Sequence, residues 1–259
     1  MTRKTWLSGV LRRAGGVLRR RFGRVSYREK RRADLVTAAD LESQRLILQS
    51  LRREFPGDDF KAEEDAARLT GAERLWLIDP LDGTANYAHG YPASCVSIGL
   101  LRRGEPELGG VYDPFRDELF LAERGRGATL NGRRLRVSGA RRVADSLLIT
   151  GFAYDRAERA DFYLARFKAF LTRCHDVRRS GSAALDMAWI AAGRADGFWE
   201  FSLNPWDVAA GWLLIEEAGG KVTDFDGRRW RDALTLGART LASNGRVHAE
   251  MLRVLRGVR

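Results

Sequence analysis

The stretch Trp76-Leu77-Ile78-Asp79-Pro80-Leu81-Asp82-Gly83-Thr84 limits what this chain can fold into more than any other. An apolar run, residues 75–78, ends on a carboxylate, a proline follows, and a second carboxylate stands three positions after the first. Pro80 has no N–H to give a ladder and fixes the backbone direction. The pattern therefore predicts a strand that breaks at Pro80 and delivers Asp79 and Asp82 together at its end. Gly83 permits close backbone approach, and Thr84 suits the first turn of a helix. With no lysine beside them in the sequence, two converging carboxylates repel and require a cation. An all-oxygen donor set favours Mg²⁺ or Mn²⁺ over Zn²⁺. The amides of Gly83 and Thr84, opening a helical turn, form an anion site next to it, and metal plus helix start reads as phosphate. An Asp-Pro-x-Asp-Gly surface turn is the structural alternative for the same residues.

Length and charge narrow the class. A chain of 259 residues is long enough for one large domain or two smaller ones. No apolar run approaches the roughly 20 residues of a membrane span, and arginines interrupt the N-terminal segment, which argues against a secretory signal. Cys95 and Cys174 are too few and too far apart for a disulfide framework or zinc site, so they read as reduced thiols of a cytoplasmic protein. The net charge of +11 is spread along the chain and is mostly arginine. Its densest run, Arg19-Arg20-Arg21 with Arg24, Arg28 and residues 30–32, leaves weak nucleic-acid contact open, although no RNA-binding or helix-turn-helix pattern accompanies it.

The periodicity predicts a core-facing amphipathic helix over residues 6–22, weakened by Gly15-Gly16. A second helix over 41–55 is capped by Thr37 or Asp40 and stopped by Pro56-Gly57. A short strand over 59–62 leads into Glu63-Glu64-Asp65, so one glutamate can reach the sheet edge that carries Asp79. Strands over 95–101, 107–113 and 118–122 form an antiparallel meander, and Asn131-Gly132 marks a hairpin. The character changes near residues 139–145. Beyond it lie a strand over 147–151, a helix over 160–174, an apolar helix over 181–191 and a strand over 196–201 carrying Glu200. A helix over 204–220 follows, with Pro205 at its start, Asp207 in its first turn and Gly219 at its close. Strands over 221–225 and 240–243 and a helix over 246–255 complete the chain.

Two long stretches now carry a resemblance. Residues 76–87, with His89 and Pro92, resemble the first signature of the inositol monophosphatase family, and residues 206–220 resemble its second. Residues 34–40, Glu63-Glu64 and 178–184 fit in the same order. The resemblance implies an α+β fold, a layered α/β/α/β/α sandwich of the sugar-phosphatase type. It divides the chain into 1–139, with the main metal site, and 140–259, which completes it, as one catalytic unit. It also implies a Mg²⁺-dependent, Li⁺-sensitive phosphatase, usually a homodimer, acting on small phosphate esters.

Carried over residue by residue, the resemblance gives Glu63, Asp79 and the carbonyl of Leu81 to the first of two or three metals. Asp79, Asp82 and Asp207 hold the second. Thr84 serves the attacking water, Asp40 accepts from Thr84, and the amides of Gly83 and Thr84 hold phosphate; Thr84, Asp40 and Glu63 are the catalytic set. Asp82, Glu200, Ser182 and Ala183 line the polyol side, and Arg178 or Arg179 is placed to hold another phosphate, as in relatives that hydrolyse fructose 1,6-bisphosphate. The chemistry is in-line hydrolysis by a water whose pKa the metal lowers from about 15.7 toward about 7. His89, His175 and His248 read as structural. Ala62 stands where the family commonly has glycine, which leaves the choice between Glu63 and Glu64 open, and Tyr87 replaces a usual Phe. Asn86-Tyr87 and Glu200 favour myo-inositol 1-phosphate and similar polyol phosphates. RNA or transcription-complex binding is the alternative of a different kind.

Overall fold

The computed structural model describes residues 1–24, 26–31, 34–65, 69–230 and 235–258. Helix α1 (Arg3–Arg21) turns Trp6, Leu7, Val10, Leu11, Ala14, Val17 and Leu18 inward, the predicted face. Each large side chain buried there contributes about 1.5–3 kcal/mol. Gly15, expected to weaken this helix, has a packing reason: a Cβ there would lie 2.4 Å from the Tyr112 ring. A hairpin that the periodicity did not announce follows, β1 (Tyr27–Arg31) paired antiparallel with β2 (Asp34–Thr37). Thr37 and Asp40 together form a capping box for α2 (Ala38–Glu54).

The first sheet has seven strands in sequence order: β3 (Asp59–Ala62), β4 (Arg74–Asp82), β5 (Cys95–Arg102), β6 (Glu105–Asp113), β7 (Glu118–Glu123), β8 (Gly127–Leu130) and β9 (Arg133–Arg134). Only the β3–β4 pair is parallel; the rest form the expected meander. Asn131 and Gly132, both at positive φ, turn β8 into β9. One expectation is corrected. Pro80 does not end β4, because the strand runs on to Asp82 with a register shift between Asp79 and Asp82. A bulge needs no ladder donor from the proline, so the break becomes a kink that carries both aspartates.

The second sheet is built from β10 (Leu147–Thr150), β11 (Asp176–Arg178), β12 (Gly197–Phe201), β13 (Lys221–Thr223) and β14 (Arg239–Ser243), in the order β11-β10-β12-β14-β13. Among the described residues five further helices accompany the sheets: α3 (Thr84–Ala88), α4 (Ala160–Leu171), α5 (Ala183–Ala191), α6 (Pro205–Glu217) and α7 (His248–Gly257). Helices α1 and α2 pack on the first sheet, α5 and α6 lie between the sheets, and α7 and α4 pack on the second. The result is the α/β/α/β/α layering. The middle layer closes tightly because Gly99 on β5 has no side chain: a Cβ there would stand 2.6 Å from that of Ala209 on α6. Among the described residues no helix is long and apolar enough to cross a membrane.

Candidate active site

Three separate peptide segments bring carboxylates to one cleft of about 360 Å³, lined by Glu63, Asp79, Asp82 and Asp207 among others. The bulge in β4 supplies two of them. Asp79 is buried and accepts from the Leu81 amide at 2.9 Å. Asp82 accepts through Oδ2 from the Ser182 hydroxyl and the Ala184 amide, both at 2.7 Å, at the start of α5. Glu63 follows β3, where its amide donates to the Ile78 carbonyl at 3.2 Å and so holds it beside β4. Asp207 sits in the first turn of α6 and accepts from the Asn204 amide through Oδ2 at 2.7 Å, closing a capping box.

Burial and mutual repulsion show in the proton affinities. Burial first, then the charges of Glu63, Asp82 and Asp207, hold Asp79 well above the ordinary carboxylate range. Asp207 is likewise raised by burial and by Asp82. Glu63 is pushed up to about 7 by burial, against the pull of Lys30. Lys30 is one of the cleft residues that sequence reasoning missed. Its ammonium, on β1, lies 3.1 Å from Glu63 Oε1, bonds Glu64, and stands 3.5 Å from Asp34. These contacts lift its pKa above the ordinary value despite the opposing effect of burial. The lysine meets Glu63 and Glu64, not the Asp79–Asp82 pair, and it does so because the hairpin folds across from 33 residues upstream of Glu63. No spacing rule announces such a contact.

Thr84 opens α3 with its hydroxyl 3.0 Å from both Asp40 Oδ1 and the Leu81 carbonyl. Asp40 lies behind it, fully buried, with Oδ2 accepting from the Thr37 amide and hydroxyl. Gly83, at φ +88°, has its Cβ position 2.9 Å from the Ala93 carbonyl, so only glycine fits. Glu63 lines the cleft; Glu64 instead donates its amide to Gln44 and binds Lys30. Glu200, Ala183 and Arg179 also line it, together with Arg156 and Tyr154 from the turn after β10, which no motif marked. Burial pushes Glu200 up to about 8, with Arg179 opposing.

Some expected residues take other places. Ser182, expected on the substrate side, is buried with its hydroxyl given to Asp82. Arg178 pairs with Asp176, which leaves Arg179 as the cleft arginine of the two. His248 is held between Thr223 and Ser243 at 2.9 Å each, a structural role. In the basic run, Arg20 and Arg21 pair with Glu42, and Arg32 lies outside the described residues. A wider hollow of about 810 Å³ near Asp224 and Trp230 carries Arg229 and Arg239, both already ion-paired.

The donor set suits a hard divalent cation. Every side-chain donor is a carboxylate oxygen, the side-chain hydrogen bonds of Asp79, Asp82 and Asp207 gather on one oxygen each, and burial together with mutual repulsion raises their pKa values, the mark of acids without enough counter-charge. Among the described residues no three His, Cys, Asp or Glu side chains already close on one point as ligands. Instead Glu63 turns to Lys30 and the aspartates rest on their backbone partners. No imidazole or thiol is among the described residues lining the cleft, so no nucleophile of those kinds is at hand.

Comparison with known proteins agrees with this geometry. The model of the inositol monophosphatase family matches residues 4–258. The inositol-1-monophosphatase of Synechocystis sp. is 45% identical over 97% of this chain and 89% of its own. The Nus factor SuhB of Escherichia coli K12 is 41% identical over 95% and 92%. Among solved structures, inositol monophosphatase from Anabaena (Nostoc) sp. PCC 7120 superposes with a TM-score of 0.89, at 46% identity over 99% of this chain and 96% of that one. An IMPase/NADP phosphatase complexed with Mg²⁺ and phosphate does so with a TM-score of 0.85, at 28% identity over 98% and 94%. With a family match over nearly the whole chain and relatives above 40% identity, this chain belongs to the inositol monophosphatase family.

Proposed function

We propose that the chain is a Mg²⁺-dependent phosphomonoesterase of polyol phosphates, with myo-inositol 1-phosphate as the leading substrate. The observation that carries this is the convergence of Glu63, Asp79, Asp82 and Asp207 on a cleft that also holds Thr84 and Glu200. Glu63, Asp79, Asp82, Asp207 and the Leu81 carbonyl are the groups to hold the metal. Bound there, a divalent ion supplies Lewis acidity to the attacking water and the leaving oxygen. The chain's own residues do the rest. Asp40 accepts from Thr84 and so fixes the direction of its hydroxyl, which serves the attacking oxygen. The Gly83 and Thr84 amides at the start of α3 receive phosphate oxygens. Glu200 and Ala183 face the alcohol portion, and Glu200 receives polyol hydroxyls when ionised.

The test is phosphate release from inositol 1-phosphate, glycerol 2-phosphate, fructose 1,6-bisphosphate and 3′-phosphoadenosine 5′-phosphate, with and without Mg²⁺ and Li⁺. Preference for inositol 1-phosphate, dependence on Mg²⁺ and inhibition by Li⁺ are the expected results. Turnover that survives chelation of the metal defeats the reading. We take the protein to be a cytoplasmic homodimer on the family resemblance, and sedimentation checks the assembly.

A second reading rests on the SuhB relatives and the charge of +11: contact with RNA or transcription machinery through the basic run. RNA binding that falls steeply between 50 and 200 mM salt supports it. Salt-insensitive or absent binding removes it.

A further inference from the structure

The carboxylate of Glu200 makes no hydrogen bond or ion pair among the described residues, although it is 8% exposed and lines the cleft. No short contact among the described residues fixes its direction, which is left to packing and to the more distant charge of Arg179. The surface it packs on is Gly151, the residue that follows β10. Strand β12 runs parallel beside β10, with Thr150 level with Trp199, and the Thr150 hydroxyl donates to the Trp199 carbonyl at 2.8 Å. This register puts Gly151 next to Glu200. A Cβ built on Gly151 would stand 2.1 Å from both carboxylate oxygens and 2.2 Å from the carboxyl carbon. The backbone of Gly151 is not in the left-handed region. The constraint on residue 151 is thus one of space and not of conformation. The atoms in conflict are the far end of one flexible side chain, so a larger residue costs the fold little and moves Glu200.

We propose that Gly151 is a specificity-determining residue, whose missing side chain leaves the volume in which the Glu200 carboxylate lies when it receives polyol hydroxyls. The inference rests on the polyol reading of Glu200. With alanine at 151, the carboxylate must retreat by roughly 1.3 Å to reach ordinary contact distance. Hydrogen bonds occupy a window of only about 2.5–3.2 Å, so the hydroxyl contacts fail while the metal and phosphate groups stay in place. Gly151 touches neither substrate nor metal; it is a positioning residue.

The experiment compares kcat/KM for inositol 1-phosphate and for p-nitrophenyl phosphate, an ester with no hydroxyls, in the Mg²⁺-loaded enzyme. The variants are Gly151→Ala, Glu200→Ala and the double variant. For Gly151→Ala we expect a loss of about 10–100-fold on inositol 1-phosphate, in line with the cost of a misplacement near 1 Å, and a change within about twofold on the aryl ester. In the Glu200→Ala background no carboxylate remains to displace, so adding Gly151→Ala changes either rate by less than about twofold. Equal losses on both substrates, or a full multiplicative loss in the Glu200→Ala background, overturn the proposal while leaving the polyol reading intact. If Glu200→Ala itself leaves the ratio of the two substrates unchanged, the polyol reading fails first and the role of Gly151 falls with it. Should Gly151→Ala alone fail to fold, a folded double variant supports the competition for volume. A double variant that also fails to fold refutes it.

Discussion

Replacing Glu200 by glutamine gives a stability change whose sign depends on pH. Glu200 is buried and its pKa is pushed from 4.5 to about 8, chiefly by burial. Below pH 4.5 both folded and unfolded chains hold the proton, and the group contributes nothing. Between 4.5 and 8 the folded chain keeps a proton that the unfolded chain has lost, so stability falls as pH rises through this window and levels off above it. At about 1.36 kcal/mol per unit, the ionised glutamate costs the metal-free enzyme about 4 kcal/mol by pH 8. Glutamine has the same shape and no charge to desolvate. Glu200→Gln should therefore match the parent near pH 5 and exceed it progressively toward pH 8. A chain of this size shifts by about 2–4 °C per kcal/mol, which makes the difference near 10 °C at pH 8. Thermal melts of both proteins in a chelator at pH 5, 6, 7 and 8 measure it. The other cleft carboxylates titrate in both proteins, so the difference reports Glu200 together with its charge coupling to Asp82, Asp186 and Asp207. A melting difference that does not change between pH 5 and pH 8 refutes the reasoning.

Three more outcomes follow from the same contacts. Asp207→Asn keeps an oxygen for the Asn204 amide and loses the charge, so activity should fall by at least about 100-fold while the melting temperature in a chelator is not lowered; full Mg²⁺-dependent turnover refutes its ligand role. Thr84→Val removes the hydroxyl shared by Asp40 and Leu81, and kcat should drop about 10–100-fold with KM little changed, read from initial rates. His248 is held down to about 4 by burial, with Lys221 adding to it, so protonating it opposes folding. Stability is unaffected above pH 6.5 and lost as pH falls from 6.5 to 4, by about 3 kcal/mol, and acid melts of His248→Gln should lack this limb.

The elements that bury a continuous face were legible. Helix α1 shows its apolar stripe, α6 shows both its ends, and the meander shows its turns, because each pattern is local and each face meets one layer. Pro80 was misread as a stop because the bulge is a property of two strands, and only the pairing with β5 reveals it. The carboxylates were legible as a set because the family motifs group them. Lys30, Arg156 and Tyr154 were not, since each reaches the cleft from a hairpin or short turn whose position tertiary packing decides. Glu63 and Glu64 could not be separated in sequence: adjacent residues point differently only once β3 is docked on β4 and Gln44 takes the Glu64 amide.

In the sequence Asp40 reads as a helix cap and a site residue, and Asp207 as a first-turn residue and a site residue; in the structure both close capping boxes beside the cleft. Asp40 closes the capping box of α2, Asp207 closes that of α6, and Asp82 takes the Ala184 amide and the Ser182 hydroxyl at the start of α5. Helix starts carry partial positive charge, which offsets part of the repulsion among carboxylates that would otherwise share one cleft. The fold thus anchors each acid through a backbone amide. It follows that the acid's two roles are separable by the substitution chosen. At Asp40, asparagine keeps one oxygen for the Thr37 amide but cannot serve Thr37 and Thr84 together, so activity should fall with little loss of stability. Alanine also removes the Asp40 half of the capping box, leaving Thr37 as N-cap, at a further cost of up to about 1 kcal/mol, or up to about 2–4 °C in melting temperature. If Asp40→Asn and Asp40→Ala melt together while differing in turnover, the cap contributes nothing and the coupling between helix start and acid is wrong.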